Sequence, residues 1–199
     1  MTTASRPSRP SRPSPASPPD GYTVHDLLSP PDIPAHIELI DGWLWSDGPQ
    51  QYFHSVMTDL LTTGLRGAAP PALRVRRRMT VVIDEHNAPE PDVMVVRAAA
   101  VRGADQMHFL VRDVLLAVEV VSPVSETRDR DTKPRKYATA GIPYFWRVEM
   151  AGADDHPVVY AFELAPQARA YRLVDTFRER VTLGAPFPLD IDLTAIDHW

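Results

Sequence analysis

One acidic residue inside an apolar run constrains the fold of this chain more than any other feature. Residues 115–122 read LLAVEVVS, and Glu119 is the one charged residue among them. Runs rich in valine and leucine that end at a turn signal, here Ser122-Pro123, are typical of a strand buried on both faces of a sheet. An isolated buried carboxylate costs several kcal/mol unless it is protonated, paired or bound to a metal. The sequence therefore predicts either that the strand is less buried than its composition indicates or that Glu119 has a cation beside it.

Bulk properties limit the class of protein. The chain has 199 residues, 44% of them hydrophobic, so it can bury one substantial core. It has no cysteine, which excludes disulfides, cysteine-ligated zinc and a cysteine nucleophile. No segment resembles a signal peptide or a membrane-spanning helix, so we expect a cytoplasmic protein with no membrane partner. The net charge of −5 argues against nucleic-acid binding through overall charge alone, which leaves local basic patches as the alternative.

The first twenty residues differ in composition from the rest. They contain Ser-Arg-Pro three times, and such proline-rich, low-complexity sequence cannot build a core. We expect a disordered basic tail over residues 1–20 and one folded domain over residues 21–199.

Hydrophobic periodicity predicts mostly strands, with a few helices. Asp41-Gly42 between two apolar runs is typical of a type I′ hairpin turn. Helices are predicted at 54–65 and 133–140, the second ending at Gly141, and strands at 74–83, 92–96, 115–122, 144–149, 158–164, 171–175 and 180–183. This pattern indicates an α/β class of fold, a mixed sheet flanked by helices.

A second acid, Asp92, opens the strand at 92–96. Two carboxylates on adjacent strands repel each other unless one is protonated or a divalent cation lies between them. Mg²⁺ prefers one or two carboxylates together with waters and phosphate oxygens, and the carbonyl of Val120 can add another oxygen ligand. Lys133 is placed at the start of the following helix, because Pro134 is tolerated only in a first helical turn. An ordinary surface lysine is the alternative for Lys133, and we discount an ion pair with Asp129 because that residue is expected to precede the helix.

A series of short motifs, in order, resembles the Uma2 family of the PD-(D/E)xK nuclease superfamily. They are ELIDG at 38–42, PDV at 91–93, EVVSP at 119–123, DRDTK at 129–133, YA at 137–138 and AGIPYFW at 140–146. The resemblance runs from about residue 22 to residue 193. It implies a restriction-endonuclease-like core, with helices flanking a central mixed sheet and additional C-terminal strands.

The resemblance also implies roles for particular residues. Asp92 and Glu119 match the two metal-binding acids of the family, and Glu38 matches a glutamate that assists the metal or its water. An exposed hairpin residue is the alternative for Glu38. The superfamily lysine would fall at Val121, whereas the Uma2-like pattern places a lysine on the following helix, where Lys133 matches.

The expected function is hydrolysis of DNA phosphodiester bonds with Mg²⁺ or Mn²⁺, by a homodimer if both strands are cut. Lys136 is the second candidate for the catalytic lysine. Arg76 and Arg78 occupy alternate positions of one predicted strand and can contact phosphates together, although a solvated edge strand explains them equally well. His54 is the one histidine singled out, with a cap or core role favoured over metal ligation. The rival interpretations are a catalytically degenerate nuclease fold that binds DNA and a protein-interaction module that uses the proline- and arginine-rich tail.

Overall fold

The main element of the structure is a six-stranded mixed sheet. The computed structural model describes residues 20–29, 34, 36–151 and 155–198, so the predicted tail lies outside the described residues except for Asp20. In chain order the elements are α1 (Val24–Leu28), β1 (Ile37–Ile40), β2 (Trp43–Ser46), α2 (Tyr52–Ala68), β3 (Leu73–Arg77), β4 (Thr80–Val82), β5 (Val93–Arg97), β6 (His108–Leu110), β7 (Val114–Val120), α3 (Lys133–Ala140), β8 (Tyr144–Met150), β9 (Pro157–Ala165), β10 (Ala170–Phe177), β11 (Arg180–Leu183) and β12 (Leu189–Asp192).

The strand order of the main sheet is β10-β9-β8-β7-β5-β3. The two central strands β7 and β8 are parallel, and α3 lies between them in sequence; every other neighbouring pair in this sheet is antiparallel. The predicted mixed sheet with helical flanks is therefore confirmed. Three further pairs, β1-β2, β4-β6 and β11-β12, lie outside the main sheet.

Both faces of the central strands are apolar because each face has its own core. Side chains alternate along β5, so Val93 and Val95 pack beneath α2, whereas Met94 and Val96 pack on the other face with Tyr137 of α3. The run at 115–122 is buried on both faces, as its composition predicts.

The β1-β2 hairpin forms a small third layer. Asp41 and Gly42 both have positive φ, 51° and 75°, as the Asp-Gly pattern predicts for a type I′ turn. Leu39 of β1 exchanges two backbone hydrogen bonds with Ala88, at 3.1 and 2.7 Å. Leu44 of β2 completes a core that is separate from the two on the main sheet.

One local prediction was wrong, and two local features were not predicted. The predicted strand at 74–83 is two strands, because Arg78 adopts a left-handed backbone with φ 46° and ends the pairing of β3. The segment before α3 ends in a π-helical turn, Arg128–Thr132, that runs directly into the helix, and this turn was not predicted. Strands β6 and β12 were not predicted. In the part of the chain that the structure describes, no helix is both long and apolar enough to cross a membrane.

Candidate active site

Glu119 on β7 is buried and has a cation beside it. Its side chain is 1% exposed, and its Oε2 lies 3.1 Å from the Nζ atom of Lys133. The hydroxyl of Tyr137 donates a hydrogen bond of 2.6 Å to its Oε1. Of the two possibilities that the sequence left open for this acid, a buried strand with a paired carboxylate is the one observed.

Lys133 joins three acidic side chains. Besides Glu119, its ammonium lies 2.7 Å from Glu38 Oε1 and 3.1 Å from Asp129 Oδ1. The alternative of an ordinary surface lysine is wrong, since the side chain is 2% exposed. Discounting the Asp129 pair was also wrong, because the π-helical turn extends the helical path and places Asp129 one turn before Lys133. The alternative of an exposed hairpin position for Glu38 is wrong as well, since its side chain is 3% exposed.

The electrostatics of this cluster follow from three carboxylates around one ammonium. Burial raises the pKa of Glu119 well above its usual value, and the charge of Lys133 offsets this only in part. Burial likewise raises the pKa of Glu38 to about 7 and also raises the pKa of Asp129. For Lys133, burial lowers the pKa, but the three carboxylates raise it by more. The pKa of Lys133 therefore lies well above its usual value, and the ammonium stays charged.

Asp92 lies next to Glu119 because of the strand register. Val93 pairs with Val118, so the residues one step further on each strand, Asp92 and Glu119, are neighbours. The backbone N–H of Val120 donates to Asp92 Oδ2 at 2.8 Å, and the Nε2 atom of His54 lies 2.9 Å from Asp92 Oδ1. The negative charge of Asp92 contributes to the raised pKa of Glu119.

The donor chemistry of this region suits a hard divalent cation. Glu119 on β7 and Asp92, directly before β5, are two neighbouring carboxylates, and Glu38 Oε2 is buried without a hydrogen-bond partner. Within the described ranges no group of three or more histidine, aspartate or glutamate side chains is arranged to hold a metal. Mg²⁺ does not need such a cage, since it commonly uses one or two carboxylates and keeps several waters. The residues present therefore supply the type of oxygen donor that binds Mg²⁺ or Mn²⁺.

Arg128 covers the cluster and connects it to the hairpin. Its guanidinium pairs with Asp47, just after β2, and lies 4.9 Å from the ring centroid of Trp45. Its Nε atom is 3.9 Å from Glu38 Oε2, and neither atom has a hydrogen-bond partner. Sequence reasoning missed this residue because its contacts join segments about eighty positions apart, which leave no local pattern.

The other candidate residues lie outside the cluster. The ammonium of Lys136 is 2.5 Å from the exposed carboxylate of Asp41. Arg76 is on β3, where one guanidinium nitrogen donates to the carbonyl of Val75 at 3.0 Å. Arg78 follows β3 with its Nε 3.4 Å from Glu90, so it does not share one strand with Arg76 as predicted.

Sequence reasoning named Asp92, Glu119, Lys133 and Glu38, and the structure brings these four together. The sequence model of the Uma2 family, described as "Putative restriction endonuclease", matches residues 25–195. The chain belongs to the Uma2 family.

A solved structure supports the fold. A protein from Anabaena variabilis, whose crystal structure is titled as that of "a putative nuclease belonging to DUF820", superimposes with a TM-score of 0.69. The two sequences are 16% identical, and the match covers 89% of this chain and 98% of that one. No curated protein matches this chain. The family and the fold thus agree with the resemblance that the motifs carry.

Proposed function

We propose that this Uma2 protein is an endonuclease that hydrolyses DNA phosphodiester bonds with Mg²⁺ or Mn²⁺. The observation that carries the proposal is the buried lysine Lys133 in contact with Glu119, directly beside Asp92. A surplus of buried carboxylate charge around one lysine is costly in a purely structural core, so a functional reason for it is needed. Membership of a family described as restriction endonucleases supports the nuclease class.

The residues divide the work by their chemistry. Asp92 and Glu119, with the carbonyl of Val120, would hold the metal ion. When bound, such an ion would supply a Lewis acid for a phosphate oxygen and would lower the pKa of a bound water. Lys133 carries a fixed positive charge in a water-poor site, where it stabilises negative charge that develops on the phosphate. Glu38 positions Lys133, since its Oε1 is the closest of the three carboxylate contacts.

Access to the cluster requires a movement of its cover. Glu38, Glu119 and Lys133 are at most 2% exposed, so a DNA phosphate cannot reach them without a local rearrangement. Arg128, whose Nε lies 3.9 Å from Glu38 Oε2, is the neighbouring side chain whose partners lie outside the cluster. We propose that DNA binding displaces the contacts of Arg128 with Asp47 and Trp45.

DNA and a second copy of the chain are the proposed partners. Arg76 and Arg78 are proposed phosphate contacts at the β3 edge of the sheet, where binding would weaken with salt. A homodimer supplies two active sites, which cutting of both strands requires.

A nicking assay on supercoiled plasmid tests the proposal. Wild-type protein is expected to nick in Mg²⁺ and to stop when EDTA is added. Glu119→Gln and Asp92→Asn, which keep the side-chain shapes, are expected to lose activity by on the order of 100-fold or more. Glu163→Gln, at an exposed glutamate of β9 paired with Arg172, is the matched control and should act as wild type. Equal activity in all four proteins would trace the nicking to a contaminant and refute the proposal.

One observation favours a second candidate, a degenerate nuclease fold that only binds DNA. Lys133 contacts the same carboxylate that would hold the metal. Titration calorimetry separates the two candidates: DNA binding with no divalent-metal binding, even with DNA present, favours the binding module.

A further inference from the structure

We propose that a cleft between α3 and strands β8 to β10 binds one nucleotide of a single-stranded nucleic acid segment. Arginines at the rim would hold its phosphate, and aromatic rings at the base would stack on its nucleobase. The inference rests on the proposed function, because it extends the path of the same substrate strand beyond the acid cluster.

The cleft has the size of a ligand site. Its volume is about 440 Å³, within the range of about 300–1,000 Å³ that is usual for small-molecule pockets. The residues that matter for the proposal are Arg130, Arg135, Arg147, Arg169, Phe162 and Tyr171, all of which line it.

The aromatic base of the cleft follows from the sheet register. Phe145 of β8 pairs with Phe162 of β9, and their ring centroids are 5.7 Å apart at 30°. Tyr171 of β10 lies 5.4 Å from Phe145 at 24°, and its hydroxyl donates to the carbonyl of Ile142 at 2.9 Å, which fixes the ring. Phe145 is buried, whereas Phe162 and Tyr171 are half-buried and border the cavity. Stacking of a base on such rings contributes about 1–3 kcal/mol and tolerates any base.

Arginines supply the anion-binding part. The guanidinium carbon of Arg147 lies 4.8 Å from the ring centroid of Tyr160 and 5.6 Å from that of Phe162, so cation–π contacts hold this group beside the aromatic base. Arg169, in the turn between β9 and β10, is exposed and has no ion pair or side-chain hydrogen bond with any residue that the structure describes.

The charge balance suits one phosphodiester. Arg130 pairs with Glu126 and Glu149, Arg147 also pairs with Glu149, and Arg135 pairs with Asp131. Four guanidinium groups, that of Arg169 included, thus face three carboxylates, which leaves one positive charge in excess. The pairs of Arg130 with Glu126 and of Arg135 with Asp131 are exposed and contribute only about 0–1 kcal/mol each, so a phosphate oxygen can replace either carboxylate at little cost.

The helix that borders the cleft also carries the catalytic lysine. Asp129 and Lys133 point into the acid cluster, whereas the intervening Arg130 and Asp131, and Pro134 beyond, line the cleft. Cleft and acid cluster therefore lie on two sides of one helix start.

Fluorescence anisotropy with labelled oligothymidylate in EDTA tests the cleft without the proposed metal site. Arg169→Glu is expected to weaken binding about 10-fold or more. Arg172→Glu is the matched control, since it makes the same charge change on the opposite face of β10, outside the cleft, and should weaken binding less than 3-fold. An abasic strand of equal length should bind wild type at least about 5-fold more weakly than the thymidylate strand, as one stacked base implies.

The outcomes separate this inference from the proposed function. Three results would each overturn the cleft as a nucleotide site. The first is an equal loss of affinity in Arg169→Glu and Arg172→Glu, and the second is equal binding of the abasic and the thymidylate strand by wild type. The third is competition for the labelled strand that is as strong with polyglutamate as with unlabelled oligothymidylate. Thymidylate binding through Arg169 without Mg²⁺-dependent cleavage would retain the cleft and refute the nuclease. If Arg169→Glu cleaves DNA with the same rate and apparent affinity as wild type, the nuclease is retained and the cleft is refuted as a nucleotide site.

Discussion

Replacing Lys133 with methionine removes the ammonium that Glu38, Glu119 and Asp129 share. Removing one partner of a buried ion pair costs about 3–5 kcal/mol, because the other charge is left without compensation. Methionine is nearly as long as lysine, so it adds little cavity cost. We therefore expect Lys133→Met to lower the free energy of unfolding by about 3–5 kcal/mol at pH 8. At about 2–4 °C per kcal/mol for a chain of this size, Tm should fall by roughly 6–20 °C.

The same substitution should cost much less at pH 5. Burial raises the pKa of Glu38 to about 7 and raises the pKa of Glu119 and Asp129 above their usual values, so in the variant these carboxyls take up protons more readily as the pH falls, and a neutral carboxyl needs no counter-charge. Urea denaturation followed by tryptophan fluorescence measures both values, and Trp146 is a buried reporter. Lys136→Met is the matched control on the same helix; its exposed partner Asp41 limits the loss to about 1 kcal/mol.

Two results would refute this reasoning. The first is equal stability of Lys133→Met and Lys136→Met at pH 8. The second is a cost of Lys133→Met that does not change between pH 8 and pH 5. Combining Lys133→Met with Glu119→Gln should recover part of the lost stability, since one uncompensated carboxylate is then gone.

Three further predictions concern stability. Gly64→Ala in α2 would place a Cβ 2.7 Å from Ile191 Cγ1 and should lower the free energy of unfolding in urea by about 1–3 kcal/mol. Gly67→Ala, whose Cβ would have nothing within 4 Å, should be neutral or stabilising by up to about 1 kcal/mol. Equal effects of the two substitutions would contradict this packing difference. Because burial raises the pKa of Glu38 from 4.5 to about 7, the folded protein holds one more proton than the unfolded chain between these pH values. In EDTA, the free energy of unfolding should therefore fall by about 3 kcal/mol as the pH rises through this window, and Glu38→Gln should flatten the decline. A free energy of unfolding that rises with pH in this window would contradict the prediction. His54→Ala leaves Asp92 without its 2.9 Å partner and should lower the thermal midpoint by an amount equivalent to about 1–3 kcal/mol, and an unchanged midpoint would show that this contact is dispensable.

The central sheet could be predicted from the sequence because local patterns encode it. Apart from Glu119 the run at 115–121 is entirely apolar, which is typical of a strand buried on both faces, and the acid within it indicated either a less buried strand or a neighbouring cation. Pro134 fixed the start of α3 and thereby placed Lys133 near the end of β7. The resemblance to the Uma2 motifs then pointed to Asp92 and Glu38, and the structure places both beside Glu119 and Lys133.

The rest of the site depends on contacts that leave no local trace. Arg128 reaches Asp47 across the hairpin, and nothing near either residue in sequence predicts that pair. The role of Asp129 depends on a π-helical turn, whose residues resemble an ordinary polar loop. The break at Arg78 requires a left-handed backbone at a residue other than glycine, which depends on tertiary context.

The central claim is that Asp92 and Glu119 bind a divalent metal next to a scissile phosphate. The most direct measurement is anomalous diffraction from crystals grown with a phosphorothioate-modified, uncleavable DNA and soaked in Mn²⁺. The account predicts one strong manganese peak in contact with both carboxylates and with a phosphate oxygen. DNA bound at the site with no manganese between these two acids would contradict it.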